Sequence, residues 1–158
     1  MTRRYARGPR GKRVHDARPV NYGPNLTIIG ALTLNGLLTT MAIPGATTGD
    51  VFLAFITEFL CPVLRPGQFV VMDNLSAHRV DGVAQAIESI GAHLVYLPPY
   101  SPDLNPIESA WSKLKNGLRT IGARTIDGLV EAIGRVIPQL TPSDCRGWFN
   151  FCGYDPST

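Results

Sequence analysis

The chain has 158 residues, 44% of them hydrophobic and 17% charged, with a formal net charge of +3. That length suits one domain of the commonest size, and the composition excludes wholesale disorder. No apolar run approaches the roughly eighteen residues of a membrane span, and no apolar segment follows the basic N-terminus as in a signal peptide.

The charge is unevenly spread. Residues 1–13 hold six of the fifteen basic residues (Arg3, Arg4, Arg7, Arg10, Lys12 and Arg13) and no acid, leaving nine basic against twelve acidic residues elsewhere. A basic arm with glycine and proline suits sequence-independent contact with a phosphate backbone; the plainer reading is a solvated tail. The three cysteines, Cys61, Cys145 and Cys152, form no C-x-x-C pair. They read as small buried hydrophobes in a reducing, cytoplasmic setting, with neither a zinc site nor a disulfide framework.

Along the chain, "NLTIIGALTLNGLLTTMAI" is rich in β-branched residues and broken by Asn35-Gly36, which predicts two antiparallel strands near 26–34 and 37–43. "TTGDVFLAFITEFLCPVL" opens on Thr/Asp capping candidates and repeats apolar residues at Val51, Phe52, Phe55, Ile56, Phe59 and Leu60, the spacing of a helix. Pro62 and Pro66 end it. "QFVVMDN" predicts a strand over 68–73 buried on both faces, residues 79–91 an amphipathic helix stopped by Gly91, and residues 92–98 a second buried strand. Helices follow near 106–120, 126–138 and after Thr141-Pro142. Strand–helix–strand units beside a hairpin predict a mixed α/β sheet with flanking helices.

Two acids stand out. Asp73 falls at the carboxyl end of a predicted strand, where open α/β sheets hold ligands; the alternative is an Asx turn closing that strand. Glu108 follows four prolines between Pro98 and Pro106. "NPIE" also has the form of a capping box, with Asn105 as cap, Pro106 at the first helical position and Glu108 as the reaching acid. Two carboxylates close together repel unless a hard divalent cation such as Mg²⁺ or Mn²⁺ lies between them. On the helix beyond, Ile107, Trp111, Leu114 and Leu118 form an apolar stripe, and Glu108, Ser112, Lys115 and Arg119 a polar one beside it. That polar stripe is either a track for phosphates, with Lys115 and Arg119 as its cations, or a solvated face.

"VVMDNLSAH", the 34 residues between Asp73 and Glu108, and "LVYLPPYSPDLNPIESAWSKLK" together closely resemble the catalytic domain of mariner-type transposases, nearest the bacterial insertion-sequence branch. "RGPRGKR", "NLTIIGALTLNG" and the "PG" before the Asp73 strand extend the resemblance over nearly the whole chain. It implies an RNase H-like fold and a three-acid (Asp-Asp-Glu) site that uses paired Mg²⁺ or Mn²⁺ ions to cut and join DNA. Transposon ends and target DNA would be the substrates. Asp73 matches the second aspartate and Glu108 the final glutamate, with Asn74 and His78 orienting the carboxylate or touching substrate.

The first aspartate of the family lies on a central apolar-Asp-Glu strand. Asp16 has no apolar strand leading into it and Asp50 reads as a helix cap, so neither is a substitute. The expectation is a basic arm over residues 1–20 and one incomplete catalytic domain over 21–158, without the first central strand or the DNA-recognition helix-turn-helix. Such a chain would be inactive alone, working as a homodimer or with an upstream transposase fragment. It could instead act as a non-catalytic DNA-binding or interfering fragment. A stand-alone RNase H-like nuclease is a weaker alternative because the same acid is wanting.

Overall fold

The computed structural model describes residues 8–12 and 25–155. Of the basic arm, Arg10 and Lys12 are exposed, while Arg3, Arg4, Arg7 and Arg13 lie outside the described residues, as does Asp16.

The predicted hairpin forms. Strand β1 (Leu26–Thr33) pairs antiparallel with β2 (Gly36–Pro44), from Leu26 opposite Pro44 to Thr33 opposite Gly36, with a bulge between Ala31 and Leu32. Gly36 begins β2 at φ 129°, a backbone angle that a side chain would resist. Gly30 serves packing instead: a Cβ there would come within 3.0 Å of the Trp111 ring, which lies against β1.

Helix α1 (Gly49–Ala54) starts at Thr48, whose hydroxyl accepts from the Val51 amide at 3.4 Å. The single long helix expected here loosens into a π-helical segment, Phe55–Leu60, and a 3-10 turn, Cys61–Val63. Pro62 accounts for this, because it brings no N–H and its ring crowds the carbonyl four residues back. Phe52, Phe55, Ile56 and Leu60 remain buried together, each stabilising by about 1.5–3 kcal/mol.

Strand β3 (Phe69–Met72) pairs parallel with β4 (His93–Tyr96). Between them lie a 3-10 turn, Ser76–Arg79, and helix α2 (Val83–Glu88). The expected helix over 79–91 is shortened because Gly82 takes φ 96°, a left-handed angle that delays the helical start. Burial of these strands on both faces is also corrected. Val70 and Met72 join the cluster of Phe52, Phe55 and Ile56, whereas Phe69 and Val71 are 70% and 38% exposed.

Helices α3 (Pro106–Ile121), α4 (Ile126–Val136) and α5 (Pro142–Phe151) follow close to their predicted bounds. Leu114 and Leu118 of α3 pack with Ala132, Ile133 and Val136 of α4 in a second buried cluster. Strand β1 lies between the two clusters: Ile29 and Ala31 meet the first, Leu26 and Ile28 the second, as alternating side chains must. The α/β class holds, but among the described residues the single mixed sheet is split into two pairs, β1–β2 and β3–β4. No described helix is long and apolar enough to cross a membrane. Cys145 and Cys152 are buried, Cys61 half-buried, and all three are free thiols pushed up in pKa by burial.

Candidate active site

Asp73 is the first residue past β3. The Leu75 amide donates to its Oδ1 at 3.1 Å, forming the Asx turn weighed above. Nδ1 of His78 lies 2.7 Å from the same oxygen, yet no aligned hydrogen bond satisfies that buried nitrogen, so the contact is one of proximity. The His78 ring rests on Phe52 at 4.2 Å between centroids, and its backbone carbonyl accepts from the Tyr96 hydroxyl at 2.9 Å. Both contacts to Asp73 fall on Oδ1, leaving Oδ2 without one among the described residues. The turn and a ligand role are compatible.

Glu108 sits in the first turn of α3, exposed. The capping box does not form. Asn105 makes no side-chain hydrogen bond to the helix start, and only its backbone carbonyl accepts, from the Glu108 amide at 3.1 Å. A 3-10 turn over Pro102–Leu104 ends at Asn105, whose amide donates to the Pro102 carbonyl at 3.1 Å. Asn105 is left at ψ 96°, turned away from the usual cap geometry. The Glu108 carboxylate therefore has no hydrogen-bond or ion-pair partner among the described residues.

The two acids line one cleft of about 610 Å³, together with Asn74, Arg79, Tyr100 and Asn105. Asn74 braces its wall rather than reaching Asp73: its amide nitrogen donates to the Leu97 carbonyl, and Arg79 Nε donates to its oxygen at 2.8 Å. Arg79 also stacks over the Tyr96 ring at 4.7 Å. The ends of β3 and β4 are thereby tied beside Asp73. Sequence reading missed Arg79, whose partners become visible only once the strands pair. It also missed Tyr100, fully exposed at φ 58°, a left-handed angle rare outside glycine and costing about 1–3 kcal/mol. Its signal was its place within the proline run.

The polar stripe is as expected, with Glu108, Ser112, Lys115 and Arg119 all exposed along α3. At about 1.5 Å per residue, Arg119 lies roughly 16 Å along the helix from Glu108. Arg119 donates to the Asn116 side chain at 3.0 Å.

Over residues 1–129 the sequence matches the family described as DDE superfamily endonuclease. The chain belongs to that family. No curated protein sequence is significantly similar to it. The fold is similar to that in the Mos1 strand transfer complex, with a TM-score of 0.72 at 14% identity, covering 97% of this chain and 46% of that one. It is also similar to the Mos1 transposase paired-end complex with left transposon end, with a TM-score of 0.51 at 16% identity, covering 98% of this chain and 52% of that one. The chain thus spans about half the length of the structures it matches. The family bears out the expected DDE domain, and the fold, shared with the Mos1 structures, bears out the RNase H-like class.

In this DDE domain, Asp73 and Glu108 are hard oxygen donors of the kind that Mg²⁺ and Mn²⁺ take. The number of donors is smaller than such a centre needs: among the described residues no three of His, Cys, Asp or Glu form a metal-holding group. The donors fit in kind and not in count, so no cleavage step can be drawn through these residues alone.

Proposed function

We propose that this chain is the catalytic domain of a transposase that cuts and joins DNA with divalent metal ions, with Asp73 and Glu108 as the second and third acids of its site. The reading is carried by two carboxylates from separate elements lining one cleft, one held through a single oxygen and the other unpartnered. When bound, Mg²⁺ or Mn²⁺ supplies positive charge to the attacking and leaving oxygens of a phosphodiester. Asp73 offers Oδ2, Asn74 and Arg79 keep its strand end in place, and Asn105 sets the start of the helix that bears Glu108. Lys115, Arg119 and the arm residues Arg3, Arg4, Arg7, Arg10, Lys12 and Arg13 take the phosphates of transposon ends and target. A third carboxylate completes the site, and Asp73 and Glu108 without it do not cleave DNA.

Calorimetric titration with Mn²⁺ tests the site. Asp73→Asn and Glu108→Gln are each expected to weaken binding about tenfold or more; equal binding by wild type and both variants would remove the two acids from the metal site. A metal-dependent nick in plasmid DNA by the purified chain would overturn its inactivity alone.

The absence of a third ligand among the described residues favours a second reading, a non-catalytic DNA-binding or interfering fragment. That fragment would bind DNA with an affinity that falls steeply with salt, is lost on deleting residues 1–13, and ignores Mn²⁺.

A further inference from the structure

Helix α5 ends in a motif that aims one side chain. Gly153 takes φ 85°, a left-handed angle open to glycine, and its amide donates to the Asn150 carbonyl at 3.0 Å. The Tyr154 amide donates to the Phe149 carbonyl at 3.0 Å, and the two rings meet edge-on at 5.7 Å between centroids. Paired bonds around a left-handed glycine, with an apolar contact beside them, fix the course of a chain as it leaves a helix. At its other end α5 is tied to α3 by the Lys113–Asp144 ion pair. Tyr154 is thereby carried to the start of α3, where its hydroxyl donates to the Leu104 carbonyl at 2.9 Å, although the two residues are 50 apart in sequence. Burial pushes the phenol above its usual pKa, so it remains a donor. The family match ends at residue 129, and Tyr154 lies beyond it.

The Leu104 carbonyl belongs to the peptide unit that joins Leu104 to Asn105. The N–H of the same unit, on Asn105, donates to the Pro102 carbonyl at 3.1 Å. A trans peptide unit is planar, with its C=O and N–H pointing opposite ways. Bonds at both ends therefore fix how the unit is turned. This matters because the Asn105 amide is the donor that the acid of a capping box takes. At α5 the equivalent amide, on Thr141, goes to Asp144 at 2.9 Å. At α3 Pro102 holds it, and the Glu108 carboxylate has no amide to reach back to. An ionised carboxylate is the stronger acceptor, since charge-assisted hydrogen bonds are about twice as strong as neutral ones. A unit free to swing would therefore exchange Pro102 for Glu108. The bond from Tyr154, at the other end of the unit, opposes that exchange.

We propose that Tyr154 is a positioning residue for Glu108: its hydroxyl holds the Leu104–Asn105 peptide unit on Pro102, which keeps the glutamate out of its own helix cap and free for a cation. Tyr154 acts through the backbone of the proline-rich loop. The role of the freed acid toward a cation rests on the transposase reading; the hold on the backbone does not.

The test is Tyr154→Phe in the full chain, which removes the hydroxyl and keeps a ring against Phe149. Two double-mutant cycles with Glu108 read it. In thermal melts, the drop in Tm caused by Glu108→Ala should be larger in the Tyr154→Phe background than in wild type by roughly 2–4 °C, because the acid would then cap α3. In Mn²⁺ titrations, Tyr154→Phe should weaken binding about three- to tenfold, and should weaken it no further when added to Glu108→Gln. A helix-packing role alone would give neither coupling. An equal effect of Glu108→Ala in both backgrounds, an equal loss of Mn²⁺ affinity with and without the Glu108 carboxylate, or a collapse of the Tm in Tyr154→Phe itself would overturn the proposal. If wild-type Mn²⁺ binding ignores Glu108, the transposase reading fails and the melting cycle, which uses no metal, still decides this one.

Discussion

Two helices in this chain begin with the same grammar: Asn105-Pro106-Ile107-Glu108 opens α3, and Thr141-Pro142-Ser143-Asp144 opens α5. At α5 the capping box closes. The Asp144 amide donates to the Thr141 hydroxyl at 3.2 Å, the Thr141 amide donates to Asp144 at 2.9 Å, and Lys113 of α3 adds an ion pair at 2.5 Å. At α3 nothing closes, and the acid is left facing the Asp73 cleft. The difference lies in the residue before the proline. Thr141 has ψ 157°, whereas the 3-10 turn of the proline-rich loop leaves Asn105 at ψ 96°. An acid consumed by its own helix contributes to stability; an acid withheld from it remains available to a ligand.

Substitutions can break this contrast. The largest effect is expected from Asp144→Ala, which removes both the box and the ion pair. Its cost should be about 1–2 kcal/mol, seen as a Tm lowered by roughly 2–8 °C. Thr141→Ala should cost about 1 kcal/mol in denaturant melts, while Asn105→Ala, with no cap bond to lose, should stay within about 0.5 kcal/mol. If the two alanine variants cost the same, the contrast fails.

Acid titration sharpens the comparison. Hydrogen bonds and charge from Lys113, with Thr141, lower the Asp144 carboxyl from its ordinary 3.8 to about 2. A lowered folded-state pKa contributes stability that is complete above pH 3.8 and is lost as pH falls through 2. The pH-dependent part of the gap between wild type and Asp144→Asn should therefore narrow between those values. A gap unchanged down to pH 2 would remove the ion pair from the account. The smallest effect on folding is expected from Glu108→Ala, within about 0.5 kcal/mol, although the same change should be among the largest on Mn²⁺ binding. Substantial destabilisation there would mean that α3 uses its acid after all.

Much of this was legible in the sequence because it depends on local rules. The hairpin follows from β-branched runs around Asn35-Gly36, and α3 from its apolar period and Pro106. Asp73 and Glu108 were singled out by their positions at element ends and by the family resemblance. The departures came where two rules compete over a few residues. Pro62 and the apolar period contend over Phe55–Leu60, and the result is a π-helical segment. Gly82 overrides the helical pattern of residues 79–91, and only Val83–Glu88 remain.

By itself, then, the sequence determined the order of elements and the α/β class, and it singled out the two carboxylates proposed for the site, because propensity, period and motif act over a few neighbouring residues. Tertiary structure alone decided which of two identical-looking caps would close, since that depends on a backbone angle set by the preceding turn. It also decided that Asn74 braces a wall with Leu97 and Arg79. Those features join residues distant along the chain.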